Sequence, residues 1–220
     1  GQQWLFTNGG DGGYSDIDPA NPGKNWFSSN HDVSIQSCAL GSQCNRNNWG
    51  SNISTSQDLV DNSDTGGDES SFYAPWMLDP QQSTTLLVGT CRIWRGATKR
   101  VSASNWGGMA ISPVLGYSST CNSNSPMVTA IAGSGPKSSF GSKVLWAALE
   151  NGSVWRTLDS GLTPLPNWQN VTPSSAPLLP VSSVALDPHD SAGLTAYVTY
   201  QGFGSAHLWK SSDGGSTWAP

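Results

Sequence analysis

Three short strings recur along the chain in a fixed order, and this self-similarity limits the fold before any local propensity does. The first is an alternating strand that closes on Asp-Pro: Tyr14-Ser-Asp-Ile-Asp-Pro19, Tyr73-Ala-Pro-Trp-Met-Leu-Asp-Pro80 and Val181-Ser-Ser-Val-Ala-Leu-Asp-Pro188. Met127-Val-Thr-Ala-Ile-Ala-Gly133 is a copy without the Asp-Pro. The second is an apolar strand: Thr85-Leu-Leu-Val-Gly89, Lys143-Val-Leu-Trp-Ala-Ala148 and Leu194-Thr-Ala-Tyr-Val-Thr199. The third is an aliphatic-Trp-basic triplet, at Ile93-Trp94-Arg95, Val154-Trp155-Arg156 and Leu208-Trp209-Lys210, spaced by 61 and 54 residues. Each unit closes on a further tryptophan, in turn Trp49, Trp106, Trp168 and Trp218.

Four units therefore fill the 220 residues, with boundaries at 1–60, 61–118, 119–173 and 174–220. Each unit reads as a few short antiparallel strands, and one such sheet cannot bury both of its faces alone. Stacking the units radially solves this, which makes the expected fold an all-β propeller of four-stranded antiparallel blades. The tryptophans then act as plates between blades, each contributing a few kcal/mol of burial. The strands are expected to run in chain order from the axis outward.

Composition agrees with this reading. The chain has 25 Gly, 14 Pro and 11% charged residues, too few helix formers for a helical domain. A net charge of −5 with no Lys/Arg run lacks the footprint of nucleic-acid or anionic-membrane binding, so neither is expected as a partner. No apolar stretch reaches the roughly 18 residues of a membrane span. The cysteines Cys38, Cys44, Cys91 and Cys121 show no zinc-type spacing, so disulfides are expected and no metal. Proximity favours Cys38–Cys44 with Cys91–Cys121 among the three possible pairings. Residues 38–71 then read as a disulfide-pinned insertion. An even cysteine count and sequons at Asn52, Asn151 and Asn170 fit an extracellular or periplasmic protein.

The last unit ends in Ser211-Ser-Asp213-Gly-Gly215-Ser-Thr217-Trp218. It matches Ser-x-Asp-x-Gly-x-Thr-Trp, the Asp-box or BNR repeat, at every defined position. Thr157-Leu-Asp159-Ser-Gly161-Leu-Thr163 is a second copy whose tryptophan, Trp168, is displaced by an insertion. The chain thus resembles the Asp-box propellers of the sialidase/sortilin-like superfamily. The resemblance implies a structural role for Asp213 and Asp159 in peripheral turns. It also implies that more than four blades complete a ring, so further blades from the same polypeptide or another chain are expected partners. The arginine triad and Arg-Ile-Pro signature of sialidases are not matched: Arg95 and Arg156 share the post-Trp position with Lys210, a repeat role rather than a carboxylate clamp.

In a propeller, the loops leading into the innermost strands meet at one rim. Here these are Gly9-Gly-Asp11-Gly-Gly13, Gly66-Gly-Asp68-Glu69-Ser-Ser71, Ser123-Asn-Ser-Pro126 and Leu178-Leu-Pro180. Asp11, Asp68 and Glu69 are candidate rim carboxylates, and Tyr14 and Tyr73 are candidate ligand-stacking groups. The blander reading is a tight turn at Gly-Asp-Gly and a solvated loop at Asp58 to Glu69. Asp58, Asp61, Asp64, Asp68 and Glu69 also supply hard oxygen donors of the kind Ca²⁺ takes, without EF-hand spacing. No cofactor is otherwise expected. Isolated His31, His189 and His207 carry no triad or zinc motif. The leading expectation is a secreted module that recognises glycans or another extracellular protein. The alternative is a sialidase-like glycoside hydrolase with paired carboxylates drawn from Asp11, Asp68 and Glu69.

Overall fold

The computed structural model describes residues 8–55, 58–59, 67–103, 105–116 and 120–220. Their strands form four antiparallel sheets, each an up-and-down run in chain order. The first holds β1 (Ser15–Ile17), β2 (Trp26–Ser29) and β3 (Ile35–Cys38). The second holds β4 (Trp76–Asp79), β5 (Gln82–Gly89), β6 (Ile93–Ala97) and β7 (Met109–Ala110). The third holds β8 (Val128–Ser138), β9 (Gly141–Leu149), β10 (Val154–Thr157) and β11 (Gln169–Asn170). The fourth holds β12 (Val181–Leu186), β13 (Ala196–Tyr200) and β14 (Leu208–Ser211). Gly41–Gln43 forms a 3₁₀ turn. First strands of successive sheets approach one another, β4 with β8 and β8 with β12, so the sheets are consecutive blades of a β-propeller.

The second and third blades have the expected four strands, whereas the end blades have three. In the first, a Cys38–Cys44 disulfide closes a six-residue loop straight after β3. The outer edge is then met by Gly50, whose N–H donates to the Ser37 carbonyl at 2.8 Å, by Ile53, whose N–H donates to the Ile35 carbonyl at 2.6 Å, and by an Ile35–Ser54 bridge. In the fourth, a single Lys210–Ala219 bridge marks the outer edge. The second disulfide joins Cys91 to Cys121, a separation of 30 residues.

Period-2 alternation with both faces covered explains the near-continuous apolar runs. In β9, Leu145, Ala147 and Leu149 pack with Leu87, Ile93 and Trp168 against the second blade. Val144, Trp146 and Ala148 of the same strand pack with Val198 and Trp209 of the fourth. Phe27, Ile35, Leu86, Val88, Trp94 and Trp106 fill the layer between the first two blades. Truncating such a leucine costs about 2–5 kcal/mol.

Polar contacts between blades repeat with the same direction. The Asp-Pro carboxylate of one blade binds a serine at the start of the next blade's second strand. Asp18 takes a hydrogen bond from Ser83, and Asp79 accepts from Ser142 N at 3.0 and 2.9 Å and from its hydroxyl at 2.7 Å. The arginine after each strand tryptophan donates into the next blade's turn: Arg95 Nη2 to the Ser160 carbonyl at 2.8 Å, and Arg156 Nη1 to the Gly214 carbonyl. The closing tryptophan answers in reverse, Trp168 Nε1 to the Ile111 carbonyl and Trp218 Nε1 to the Val171 carbonyl, both at 2.8 Å. The two arginines are struts of the repeat.

Candidate functional site

The turns marked by the motif are self-contained. Ser211 Oγ donates to Asp213 Oδ1 at 2.8 Å and accepts from Gly215 N at 2.7 Å. Thr217 donates to the same carboxylate from its N–H at 2.9 Å and its hydroxyl at 2.6 Å. Those Thr217 bonds, with help from Ser211, lower the Asp213 pKa to about 2. Gly214 and Gly215 take φ values of 72° and 87°, where a Cβ is strained. At the third blade, Thr157 Oγ1 donates to Asp159 Oδ1 at 2.6 Å, but Asn167 N, at 3.1 Å, replaces the threonine donors. The insertion before Trp168 is the reason: Thr163 no longer lies where Thr217 does. Both carboxylates are held by donors of their own turns, and beside the Asp159 turn lies a small hollow of about 160 Å³ lined by Arg156, Leu158, Asp159, Asn167 and Gln169.

At the opposite rim, the loop leading into β1 lies flat on the β2–β3 turn. Asp11 N donates to Asn30 Oδ1 at 2.8 Å, and Tyr14 N donates to Ser29 Oγ at 3.1 Å. A Cβ at Gly13 would fall 2.6 Å from Ser29 Oγ and 2.8 Å from the Asn30 carbonyl, so only glycine allows this approach. The second blade joins through its own loop, because Asp32 N donates to the Phe72 carbonyl at 2.8 Å. Asp32, at φ 52°, is the one non-glycine residue among those described that is held in the left-handed region, which aspartate tolerates better than most.

These loops bring Asp11, Gly12, Gly13, Tyr14 and Tyr73 around an open cavity of about 390 Å³. Beside it Phe72 stands edge-on to Tyr73, with ring centroids 4.9 Å apart, and His31 stacks on Phe72 at 5.7 Å. His31 Nδ1 lies 2.9 Å from Asp32 Oδ2. Tyr14, Phe72 and Tyr73 are 40%, 53% and 50% exposed, an unusual display for aromatic side chains held by neighbours. Burial on one side pushes the Tyr14 hydroxyl up from its ordinary pKa, so it remains a neutral donor and acceptor. The sequence pointed to Asp11, Tyr14 and Tyr73. It gave no sign of His31, Asp32 or Phe72, whose roles depend on contacts between blades.

Asp68 is a correction. It is not a rim carboxylate but a buried one, 3% exposed, with Arg92 Nε 3.0 Å from its Oδ2. Thr90 Oγ1 and Trp94 Nε1 donate to that same oxygen at 2.7 and 2.8 Å. Burial pushes its pKa up, against the pull of these partners. The reason is packing: Trp94 faces the first blade, and its indole N–H needs a buried acceptor. Asp68 also lies beside Cys91 and Cys121, whose sulfurs are spent on each other. Glu69 is exposed and does not line the cavity. Of the acids weighed for Ca²⁺, Asp61 and Asp64 lie outside the described residues. Asp58 is held by Arg100 at 2.7 and 2.9 Å and by Thr55 and Trp106.

A larger hollow of about 780 Å³ lies on the other side, among Gln81, Lys143, Leu158 and Asp190, where the β4–β5, β8–β9 and β12–β13 turns meet. Asp190 is consumed there by the N–H groups of Ala192, Leu194 and Thr195.

Neither a protein-family model nor a curated protein sequence matches the chain. Solved structures do. The GH74 xyloglucanase from Xanthomonas campestris superposes with a TM-score of 0.56 at 17% identity, covering 99% of this chain and 32% of that one. Sqt1 from Chaetomium thermophilum, bound to the N-terminus of the ribosomal protein L10, gives 0.51 at 14% identity over 90% of this chain and 45% of that one. The chain thus spans about a third of the xyloglucanase and under half of Sqt1. At these identities the likeness carries the fold alone: this chain is similar to both as a β-propeller.

Proposed function

We propose that the chain is a secreted Asp-box propeller segment that recognises glycans through the rim cavity between its first two blades. The observation that carries this reading is the exposed group Tyr14, Phe72 and Tyr73 around Asp11, set on loops pinned by hydrogen bonds to the β2–β3 turn. Aromatic faces take the C–H side of a sugar ring, a carboxylate accepts from its hydroxyls, and a preformed site limits the entropy lost on binding. The two disulfides support the extracellular setting. The match of Ser211 to Trp218 supports kinship with Asp-box proteins. An extracellular protein is the other class of ligand for the same rim.

The hydrolase alternative needs two carboxylates about 5 to 9 Å apart across a bound sugar. Asp68 is committed to Arg92, and Asp11 is the one carboxylate lining the cavity among the described residues. Recognition is therefore favoured over turnover. Glycan-array binding by the 220-residue chain, beside a screen of chromogenic glycosides, tests both. Glycan binding that falls about tenfold with Tyr14→Ala or Tyr73→Ala, at unchanged melting temperature, is the expected result. Turnover of any glycoside favours the hydrolase, and no glycan binding overturns the reading.

A further inference from the structure

The two ends of the blades differ in charge. In their up-and-down order, the lead-in loops and the turns between second and third strands lie at the rim that holds the cavity, and the other turns lie at the opposite end. Of the ten Lys and Arg residues, Lys24, Lys99, Arg100, Lys137 and Lys143 lie in or beside turns of that opposite end. Arg46 follows the Cys38–Cys44 loop, which is tied to the same end by the bond from Gly41 N to the Lys24 carbonyl at 2.9 Å. Arg95 and Arg156 are the buried struts, and Lys210, in β14, has its Nζ 5.4 Å from the centroid of the Tyr197 ring. Arg92 is the one Lys or Arg of a rim turn among the described residues, and it is buried against Asp68 at 3.0 Å.

The rim loops carry Asp11, Asp32, Glu69 and Glu150 instead. Asp11 lines the cavity with Tyr14 and Tyr73, and among the described residues its carboxylate has no hydrogen-bond or ion-pair partner, since the bond to Asn30 uses its backbone N–H. His31, stacked on Phe72, does not reverse the sign. Asp32 Oδ2 lies 2.9 Å from its Nδ1, so the pair is neutral with the ring protonated and negative without that proton. A five-residue strand such as β6 is about 17 Å long, beyond the roughly 8–10 Å over which exposed charges act in physiological salt, so the lysines of the far end do not offset Asp11. A free carboxylate flanked by exposed tyrosine faces suits an organic ammonium, whose N–H groups donate to the acid while its charge lies against the rings. The same arrangement repels a ligand carboxylate, which finds no cation there to pair with.

We infer that the sugar taken by this rim is an amino sugar with a free amine, bound through its ammonium between Asp11 and the faces of Tyr14 and Tyr73, and that acidic sugars are refused. This rests on the glycan reading of the same cavity and names the class of glycan. The test measures binding of the 220-residue chain to glucosamine and N-acetylglucosamine oligosaccharides of equal length and linkage, at a pH where the free amine is protonated, beside sialylated oligosaccharides. The first two ligands differ only in the charge and acetyl group on nitrogen. Glucosamine oligosaccharides bind about tenfold tighter than the acetylated ones, and sialylated ones do not bind. Asp11→Asn, at an exposed side chain that holds nothing in the fold, abolishes the preference and leaves binding of the acetylated ligand unchanged. Glu150→Gln, which removes a rim charge that does not line the cavity, leaves the preference intact. A preference that falls equally in both variants is attraction to the net charge of −5 and overturns the inference. Equal affinity for the two oligosaccharides, or tighter binding of the sialylated ones, also overturns it while the glycan reading stands. Binding of no glycan at all overturns both.

Discussion

Asp68 and Asp213 are both carboxylates with several close donors, yet they do opposite things. Asp213 sits in an exposed turn, and its donors, Ser211 and Thr217, lie within four residues of it. Asp68 is buried in the second blade, and its donors Thr90, Arg92 and Trp94 are 22 to 26 residues away. Hydrogen bonds near water favour the ion and lower the Asp213 pKa, whereas desolvation dominates at Asp68 and raises it. Proximity in sequence makes one a turn device, and burial makes the other a keystone between the strands of its blade.

The largest expected effect tests that contrast directly. Asp68→Ala removes the carboxylate 3.0 Å from the buried Arg92 Nε and the shared acceptor of Thr90 and Trp94, and is expected to cost about 3–5 kcal/mol in denaturant unfolding. A double change, Asp68→Leu with Arg92→Met, recovers most of that loss if the charges rather than the shape are at fault. A loss under about 1 kcal/mol for Asp68→Ala breaks the comparison, since exposed pairs cost that little.

Next come the cross-links, which differ in the same local-against-distant sense. Replacing Cys91 and Cys121 by alanine opens a 30-residue loop and is expected to cost about 3–4 kcal/mol, while opening the six-residue Cys38–Cys44 loop costs less. Melting temperatures of the two double variants give the order. The reverse order means that strain or residual denatured-state structure outweighs loop entropy.

Arg156→Ala removes a buried strut and strands the Gly214 carbonyl, for an expected 1.5–3 kcal/mol or thereabouts, roughly the value of a charged hydrogen bond. Its effect should be concentrated at the junction of the third and fourth blades, read as faster hydrogen exchange in β13 and β14.

The smallest effect belongs to Asp213. Its folded pKa of about 2 lies below the ordinary 3.8, so its contribution is complete above pH 3.8 and is lost as the pH falls toward 2. Asp213→Asn removes that part of the acid dependence and leaves stability at pH 7 to pH 5 flat. An unchanged acid-unfolding curve shows that the turn opens without the blade.

The same division governs what a reader of the residues alone could find. Repeats, sheet order and both disulfide pairs were legible because each rests on spacing along the chain. Asp11, Tyr14 and Tyr73 could be placed on one rim because each precedes or begins a first strand. His31, Asp32 and Phe72 could not, since nothing near them in the chain marks the stack that the Asp32–Phe72 hydrogen bond creates between two blades. Asp68 misled because Gly-Gly-Asp-Glu has the composition of a solvated turn, and only Trp94 and Arg92 arriving from β6 and its approach reveal a buried acceptor.

By itself, then, the sequence determined an all-β chain of four repeated units, the tryptophan positions that plate them together and the turns closed by Asp159 and Asp213. Period, turn chemistry and loop closure act over a few residues, or repeat often enough to be counted. Tertiary structure decided which acids remain at the surface, which arginines become struts, where the end blades stop at three strands and which aromatics gather at the rim. These outcomes depend on burial and on donors tens of residues away, because the cost of an unpaired charge or N–H is set by the blade packed against it and not by its neighbours in the chain.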